Sequence, residues 1–140
     1  MRKTASQKYL AKKKRIANKA KALWQELVVK SKPICEGQGI GCTGKSTCGH
    51  HFIYKSVSNH LRFDLRNGIG LCQKCHYALH NTGRQGIVYL HIIGGRTKEW
   101  KAYIDKNSGV IVSTTLAWHE EKLEALKAQL NPPKNTIKGK

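Results

Sequence analysis

Residues 48–80 read Cys-Gly-His-His-Phe-Ile-Tyr-Lys-Ser-Val-Ser-Asn-His-Leu-Arg-Phe-Asp-Leu-Arg-Asn-Gly-Ile-Gly-Leu-Cys-Gln-Lys-Cys-His-Tyr-Ala-Leu-His. Three features stand in fixed order. The pair His50-His51 comes first, Asn67 follows sixteen residues after His51, and Leu71-Cys72-x-x-Cys75-His76-x-x-x-His80 closes the stretch. A helix begun near Cys72 and running over about 73–80 places His76 and His80 on one face, because side chains four apart are neighbours. Residues 50–54 are expected as a first short strand, 55–60 as a loop, and Leu61 to Phe63 as the returning strand. Asn81-Thr82-Gly83 is a helix stop.

Upstream, residues 34–49 carry five glycines, which preclude regular structure and permit a knuckle around a metal. Before them, residues 4–30 read as an amphipathic helix. Apolar groups fall at Tyr9/Leu10, Ile16/Ala17, Ala20, Leu23/Trp24 and Leu27/Val28, near a 3.6-residue period. Ser31-Lys32-Pro33 ends it, since a residue before proline avoids the helical region. Lys12, Lys13, Lys14 and Arg15 crowd its first turns, and like charges four apart repel. Those turns are expected to fray without a polyanion, with residues 2–15 contacting phosphates and Leu23 to Val28 packing on the core. Downstream, 86–93 is read as a short helix. Thr97 caps another bearing Trp100 and Tyr103, Asn107-Ser108-Gly109 turns, and Thr115 caps a last helix over 116–130. Leu116, Leu123, Leu126 and Leu130 form the apolar edge of that helix. Asn131-Pro132-Pro133 stops it, and a flexible basic tail, 132–140, follows.

The 140 residues suffice for one domain, which buries about two-thirds of its unfolded surface. At 39% hydrophobic and 24% charged, part of the chain reads as an arm rather than core. Lys and Arg number 26 against 8 acids, a net charge of +18, and residues 1–32 hold eleven of the bases and one Glu. Clustered charge of that size predicts a nucleic acid as partner. No run of about 18 apolar residues is present, which excludes a membrane-spanning helix, and no apolar segment follows the basic start as in a secretory signal. An intracellular protein is expected. Five cysteines, an odd number, then argue for metal rather than disulfides. Tetrahedral zinc takes four thiolates or imidazoles, commonly from two knuckles. Cys72-x-x-Cys75 is one, and its partner must come from Cys35, Cys42 and Cys48.

The stretch as a whole, and Asn67-x-x-x-Leu71-Cys72-x-x-Cys75-His76 in particular, resembles the HNH (ββα-metal, His-Me finger) endonuclease family. The resemblance implies an α+β chain. It would be a small ββα-metal finger over 33–83 with a four-cysteine structural zinc, flanked by a basic N-terminal helix, 1–32, and a helical extension, 84–131. It makes His51 the general base, on the first strand. It makes His50, His76 and His80 ligands of a catalytic divalent cation, and Asn67 the side chain that braces the loop holding the base. Family members with a segment like Gly41-Cys42-Thr43-Gly44 before the histidine pair place zinc ligands like Cys35 and Cys42, here joined by Cys72 and Cys75. That choice leaves Cys48 free, with Cys42 and Cys48 as the rival pairing. A narrower likeness, in Gly49-His50-His51-Phe52 and Leu61-Arg62-Phe63-Asp64-Leu65-Arg66-Asn67, is to the phage NinG/Rap enzymes of branched DNA. The Cys75-His76 ending departs from that branch. A phage-encoded chain, acting as a homodimer or with a phage protein, would follow from it.

The chemistry agrees with the resemblance. An imidazole with a pKa near 6.5 accepts a proton at neutral pH, and a backbone carbonyl at its other nitrogen would fix the tautomer. Three neutral imidazoles suit Zn, Ni or Co, while phosphate and water oxygens would complete a shell for Mg or Mn. Of Arg62 and Arg66, one either grips phosphate as a guanidinium fork or pairs with Asp64 to hold the loop. His60 and His91 read as ordinary, and His119 as a surface residue. The expected activity is hydrolysis of DNA to 5′-phosphate and 3′-hydroxyl ends, by nicking or at branches, with salt-sensitive binding that ignores sequence. The rivals are a non-catalytic zinc module that binds nucleic acid, and a ribonuclease. The imidazoles of His50, His76 and His80 should converge, His51 should face solvent apart from them, and the thiol cluster should lie separately.

Overall fold

The computed structural model describes residues 1–39, 41–81 and 83–132. The expected tail therefore lies, from Pro133 on, outside the described residues. In chain order the elements are α1 (Ala5–Ser31), β1 (Cys48–His51), β2 (Gly68–Leu71), α2 (Gln73–Asn81), α3 (Gln85–Gly94), α4 (Lys98–Asn107) and α5 (Leu116–Leu130). Two single-turn 3-10 helices, Asn59–Leu61 and Leu65–Asn67, stand between the strands. The fold is α+β: five helices around a two-stranded antiparallel sheet, among the described residues. No helix among them is long and apolar enough to cross a membrane.

Helix α1 starts where a capping box permits. Thr4 Oγ1 accepts from Gln7 N at 3.2 Å, and Gln7 Oε1 accepts from Thr4 N at 2.9 Å. Its basic first turns, expected to fray, are helical and docked. Tyr9 Oη accepts from Leu116 N at 3.2 Å, and Lys12 lies 3.7 Å from Glu120. Both contacts advance along α1 and α5 together, so the two helices run in the same direction. Ala20, Trp24, Leu27 and Val28 share a core with Phe63, Leu123 and Leu126. His119 belongs to this interface and is not on the surface: it is 2% exposed, its Nδ1 lies 2.8 Å from Thr115 O, and its ring meets Phe63 and Trp118. The reason is helical spacing, since 119 lies four residues before Leu123.

The sheet departs from expectation in both strands. β1 begins at Cys48 and ends at His51. Its partner is Gly68–Leu71 rather than Leu61–Phe63, with His50 opposite Ile69 and Gly49 opposite Gly70. Leu61 ends a 3-10 turn, and Phe63 enters the core between α1 and α5. The glycines explain why 68–71 serves as the strand. A Cβ on Gly68 would stand 2.3 Å from Val28 Cγ2, and one on Gly70 would stand 2.6 Å from Lys32 O. Helix α1 and its exit lie directly on the strand, at a distance only glycine allows. Gly68→Ala is therefore expected to destabilise the fold by about 1–3 kcal/mol through overpacking against a stiff β-branched side chain. Thermal denaturation checks this, and an unchanged midpoint would mean α1 is not seated there.

Successive residues of a strand face opposite ways. On β1, Gly49 and His51 face α1, where a Cβ on Gly49 would stand 3.2 Å from the Gln25 backbone. Cys48 and His50 face the other side. There a second core gathers Cys35, Ile69, Leu71, Cys72, Cys75, Leu79, Val88 and Ile92 from the cysteine loop, β2, α2 and α3. One ion pair locks these parts. Arg96 donates to both carboxylate oxygens of Glu36 (2.8 and 2.9 Å) and to Gly68 O (3.0 Å), while Glu36 Oε2 accepts from Gly70 N at 2.9 Å. The Arg96 side chain is 7% exposed, and the forked geometry satisfies charges that burial would otherwise penalise. Sequence reasoning missed this pair, whose members stand sixty residues apart.

Candidate metal centres and catalytic site

His50 reaches from β1 toward α2, where one face presents His76 and His80 as their four-residue spacing requires. One ring nitrogen from each of the three lies within 4.8 Å of those of the others. The ring centroids stand 4.8–5.3 Å apart. His50 Nε2 is buried with no hydrogen-bond partner. Buried polar atoms are seldom left so, and an atom bonded to an ion is one way to satisfy it. Burial, then the neighbouring His76 and His80, brings the His50 pKa down to about 4. Burial and His80 lower that of His76. Both are neutral at physiological pH, with a lone pair to offer. The donor set fits a divalent first-row ion.

His51 faces the opposite way. Its Nε2 stands 2.7 Å from Arg62 O. A carbonyl only accepts, so Nε2 carries the proton and Nδ1 the lone pair. Nδ1 makes no hydrogen bond among the described residues and is not sealed from solvent. The ring is not freely open, as expected from sequence, but half-buried: Trp24 of α1 stacks on it at 4.0 Å, with an 8° angle between planes. Trp24 is fixed in turn by its Nε1, which donates to Asp64 O at 3.0 Å. Burial lowers the His51 pKa, the Arg62 carbonyl pulls it back up, and the charges of Arg62, Lys21 and Lys55 lower it further. Asn67 is fully buried. Its Oδ1 accepts from Ile53 N at 2.8 Å, and its Nδ2 donates to Ile53 O at 2.9 Å and Leu61 O at 3.3 Å. It thereby clamps both ends of the loop that delivers the Arg62 carbonyl.

The four thiols of Cys35, Cys42, Cys72 and Cys75 all lie within 4.8 Å of one another, close enough to hold one metal ion. Backbone N–H groups aim at the sulfurs: Cys72 N at Cys35 (3.1 Å), Gly39 N at Cys75 (3.4 Å), Gly44 N at Cys42 (3.4 Å) and Cys75 N at Cys72 (3.4 Å). Within the six-residue gap between Cys35 and Cys42, Gly37 lies against α2, where a Cβ on it would stand 2.7 Å from Cys75 Cβ. Cys48 stands outside the set and donates to Leu71 O at 3.2 Å, so the rival pairing is not the one formed. Burial raises the Cys35 and Cys75 pKa values. Burial also pushes Cys72 up, but the Thr43 and Cys75 backbone groups outweigh it and bring that thiol to about 6. The lowered pKa favours the thiolate form of Cys72, which is the form that ligates a metal.

The basic residues divide. Arg66 is tied to Asp64 by two bonds (3.1 and 3.2 Å) and stacks on Tyr103 at 3.5 Å, while the Tyr103 hydroxyl donates to the same carboxylate. Burial pushes Asp64 up, but Arg66 and Tyr103 outweigh it and hold the carboxyl below its ordinary value. Arg62 lies over the Phe63 ring at 4.8 Å, and it is its carbonyl that serves His51. On α1, Lys12 pairs with Glu120, and half-buried Lys13 acts on His119 of α5. Lys14 and Arg15 are exposed. Sequence reasoning missed Trp24 as a site residue, reading it only as core. No protein-family model, curated protein or solved structure matches the chain.

Proposed function

We propose that this chain is a metal-dependent endonuclease of HNH type that hydrolyses DNA phosphodiester bonds, with zinc held by Cys35, Cys42, Cys72 and Cys75 as a structural staple. The observation that carries the reading is the orphaned, buried Nε2 of His50 among the His76 and His80 rings, with His51 next to it in sequence and hydrogen-bonded through one nitrogen only. A divalent cation bound by His50, His76 and His80 would neutralise charge on the phosphate and stabilise the departing 3′ oxygen. His51 Nδ1 takes a proton from water as the water oxygen attacks phosphorus. The bond from phosphorus to the 3′ oxygen breaks, and that oxygen takes a proton from solvent, leaving 5′-phosphate and 3′-hydroxyl ends. The lowered His51 pKa keeps the ring in its basic form at neutral pH. Asn67 and Trp24 hold it still.

A net charge of +18 supports DNA as substrate through phosphate contacts, and affinity should fall steeply with salt. Nicking or cleavage at branches is preferred to strict restriction specificity, and a junction substrate would call for a homodimer. The test is purified protein on linear, nicked, flap and four-way DNA, with matched RNA alongside, in Mg²⁺, Mn²⁺, Ni²⁺ or Zn²⁺. Cleavage is expected with at least one metal and is expected to vanish in His50→Ala. No cleavage under any of these conditions would leave the second reading, a non-catalytic zinc-containing nucleic-acid binder. The Trp24 ring over His51 favours that reading, because it narrows access to the base.

A further inference from the structure

Helix α1 has two faces of opposite character. Ala17, Ala20, Trp24, Leu27 and Val28 are buried. On the far side, Ala11, Arg15, Asn18 and Ala22 form one exposed stripe, spaced four, three and four residues apart. At 100° per residue Lys14 flanks this stripe on one side and Lys19 on the other. The two alanines leave a shallow hollow of about 520 Å³ between the longer side chains, lined by these same six residues. The side chains of Lys14, Arg15, Asn18 and Lys19 have no hydrogen-bond or ion-pair partner among the described residues. A solvated face needs charge, but it does not need its lysines on the flanks and its small and planar groups along the centre.

We infer that α1 is a recognition helix that enters the major groove of duplex DNA and reads base edges with Arg15 and Asn18. A major groove about 12 Å wide admits an α-helix, Arg reads the O6/N7 edge of guanine, and Asn reads the N6/N7 edge of adenine. Ala11 and Ala22 permit the close approach, and methyl-sized side chains at the floor suit thymine methyls. Lys14 and Lys19 meet the phosphates on the two walls, which positions without specifying. The helix is 27 residues long, about 40 Å, so it has length for both a docked face and a groove. The inference rests on the proposed DNA substrate and adds sequence preference, which the charge alone does not predict.

The experiment is selection of bound duplexes from a random pool by the full-length chain without added divalent ions, followed by affinity measurements on the winner. The expected result is a short enriched site containing guanine and adenine, with affinity lost when 7-deazaguanine replaces its guanine. Arg15→Ala and Asn18→Ala should each relax the preference at one base by about tenfold or more. Lys14→Ala and Lys19→Ala should weaken all sequences alike and lower the salt slope by about 1. All four positions are exposed, so the variants keep the wild-type melting temperature. An unenriched pool overturns the inference, as does an Arg15→Ala, Asn18→Ala pair that weakens every sequence equally. Cleavage is scored separately with metal added: an enriched site without cutting supports the recognition helix and removes the nuclease, while cutting without an enriched site does the reverse.

Discussion

Replacing His51 by alanine is expected to slow DNA cleavage by about 10²- to 10⁴-fold, the usual contribution of a positioned proton acceptor. DNA affinity should not change, because the exposed Lys and Arg side chains of α1 proposed to meet phosphate lie elsewhere. The ring is anchored by Nε2 to the Arg62 carbonyl and held under Trp24, and its one unengaged nitrogen is the group removed. Alanine also leaves a void beneath Trp24, so His51→Gln is the control: it fills the space and can still donate to the carbonyl, but it cannot take a proton. Both variants should be slowed to that extent, and the glutamine variant should melt with the wild type. A glutamine variant that cuts at the normal rate would remove His51 from the chemistry. Gel-based cleavage and binding on the same preparation decide it.

The residues that make this experiment worth doing were readable before the fold, because candidate metal ligands follow short-range spacing rules. His76 and His80 are helix neighbours, Cys72 and Cys75 form a knuckle, and capping residues Thr97 and Thr115 open α4 and α5 where expected. The second strand was not readable. Gly68-Ile69-Gly70-Leu71 lacks the branched, alternating pattern of a strand, because its glycines answer to a helix some forty residues upstream. Leu61 and Phe63 have the alternation but are buried separately. The Glu36–Arg96 pair and the Trp24–His51 stack are contacts between distant segments and leave no local trace. His119 did leave one, in its spacing from Leu123, which the leucine edge of α5 obscured.

Loss of the zinc proposed at the cysteine cluster should have the other large effect, on folding rather than catalysis. Of the eight buried residues in the core around β2 and α2, three are Cys35, Cys72 and Cys75. Among the described residues, the loop that brings Cys35 and Cys42 to them is otherwise held by Glu36, which pairs with Arg96 and accepts from Gly70 N, and by a few backbone bonds. Structural zinc contributes about 10–16 kcal/mol of apparent binding energy in small modules, as much as the whole stability of a typical domain, about 5–15 kcal/mol. Cys72→Ser should therefore bind one zinc fewer per chain and lose its cooperative thermal transition, as should the wild type treated with a strong chelator. Serine cannot supply the thiolate that the surrounding N–H groups stabilise at this position. Cys48→Ser is the matched control, since a hydroxyl can still donate to Leu71 O and the zinc content should not change. His50→Ala separates the two centres: it should keep the cysteine-bound ion and the melting transition while cleavage is lost. A Cys72→Ser protein that melts like the wild type would show that the apolar packing around Leu71, Leu79 and Ile92 holds this half of the chain without the staple.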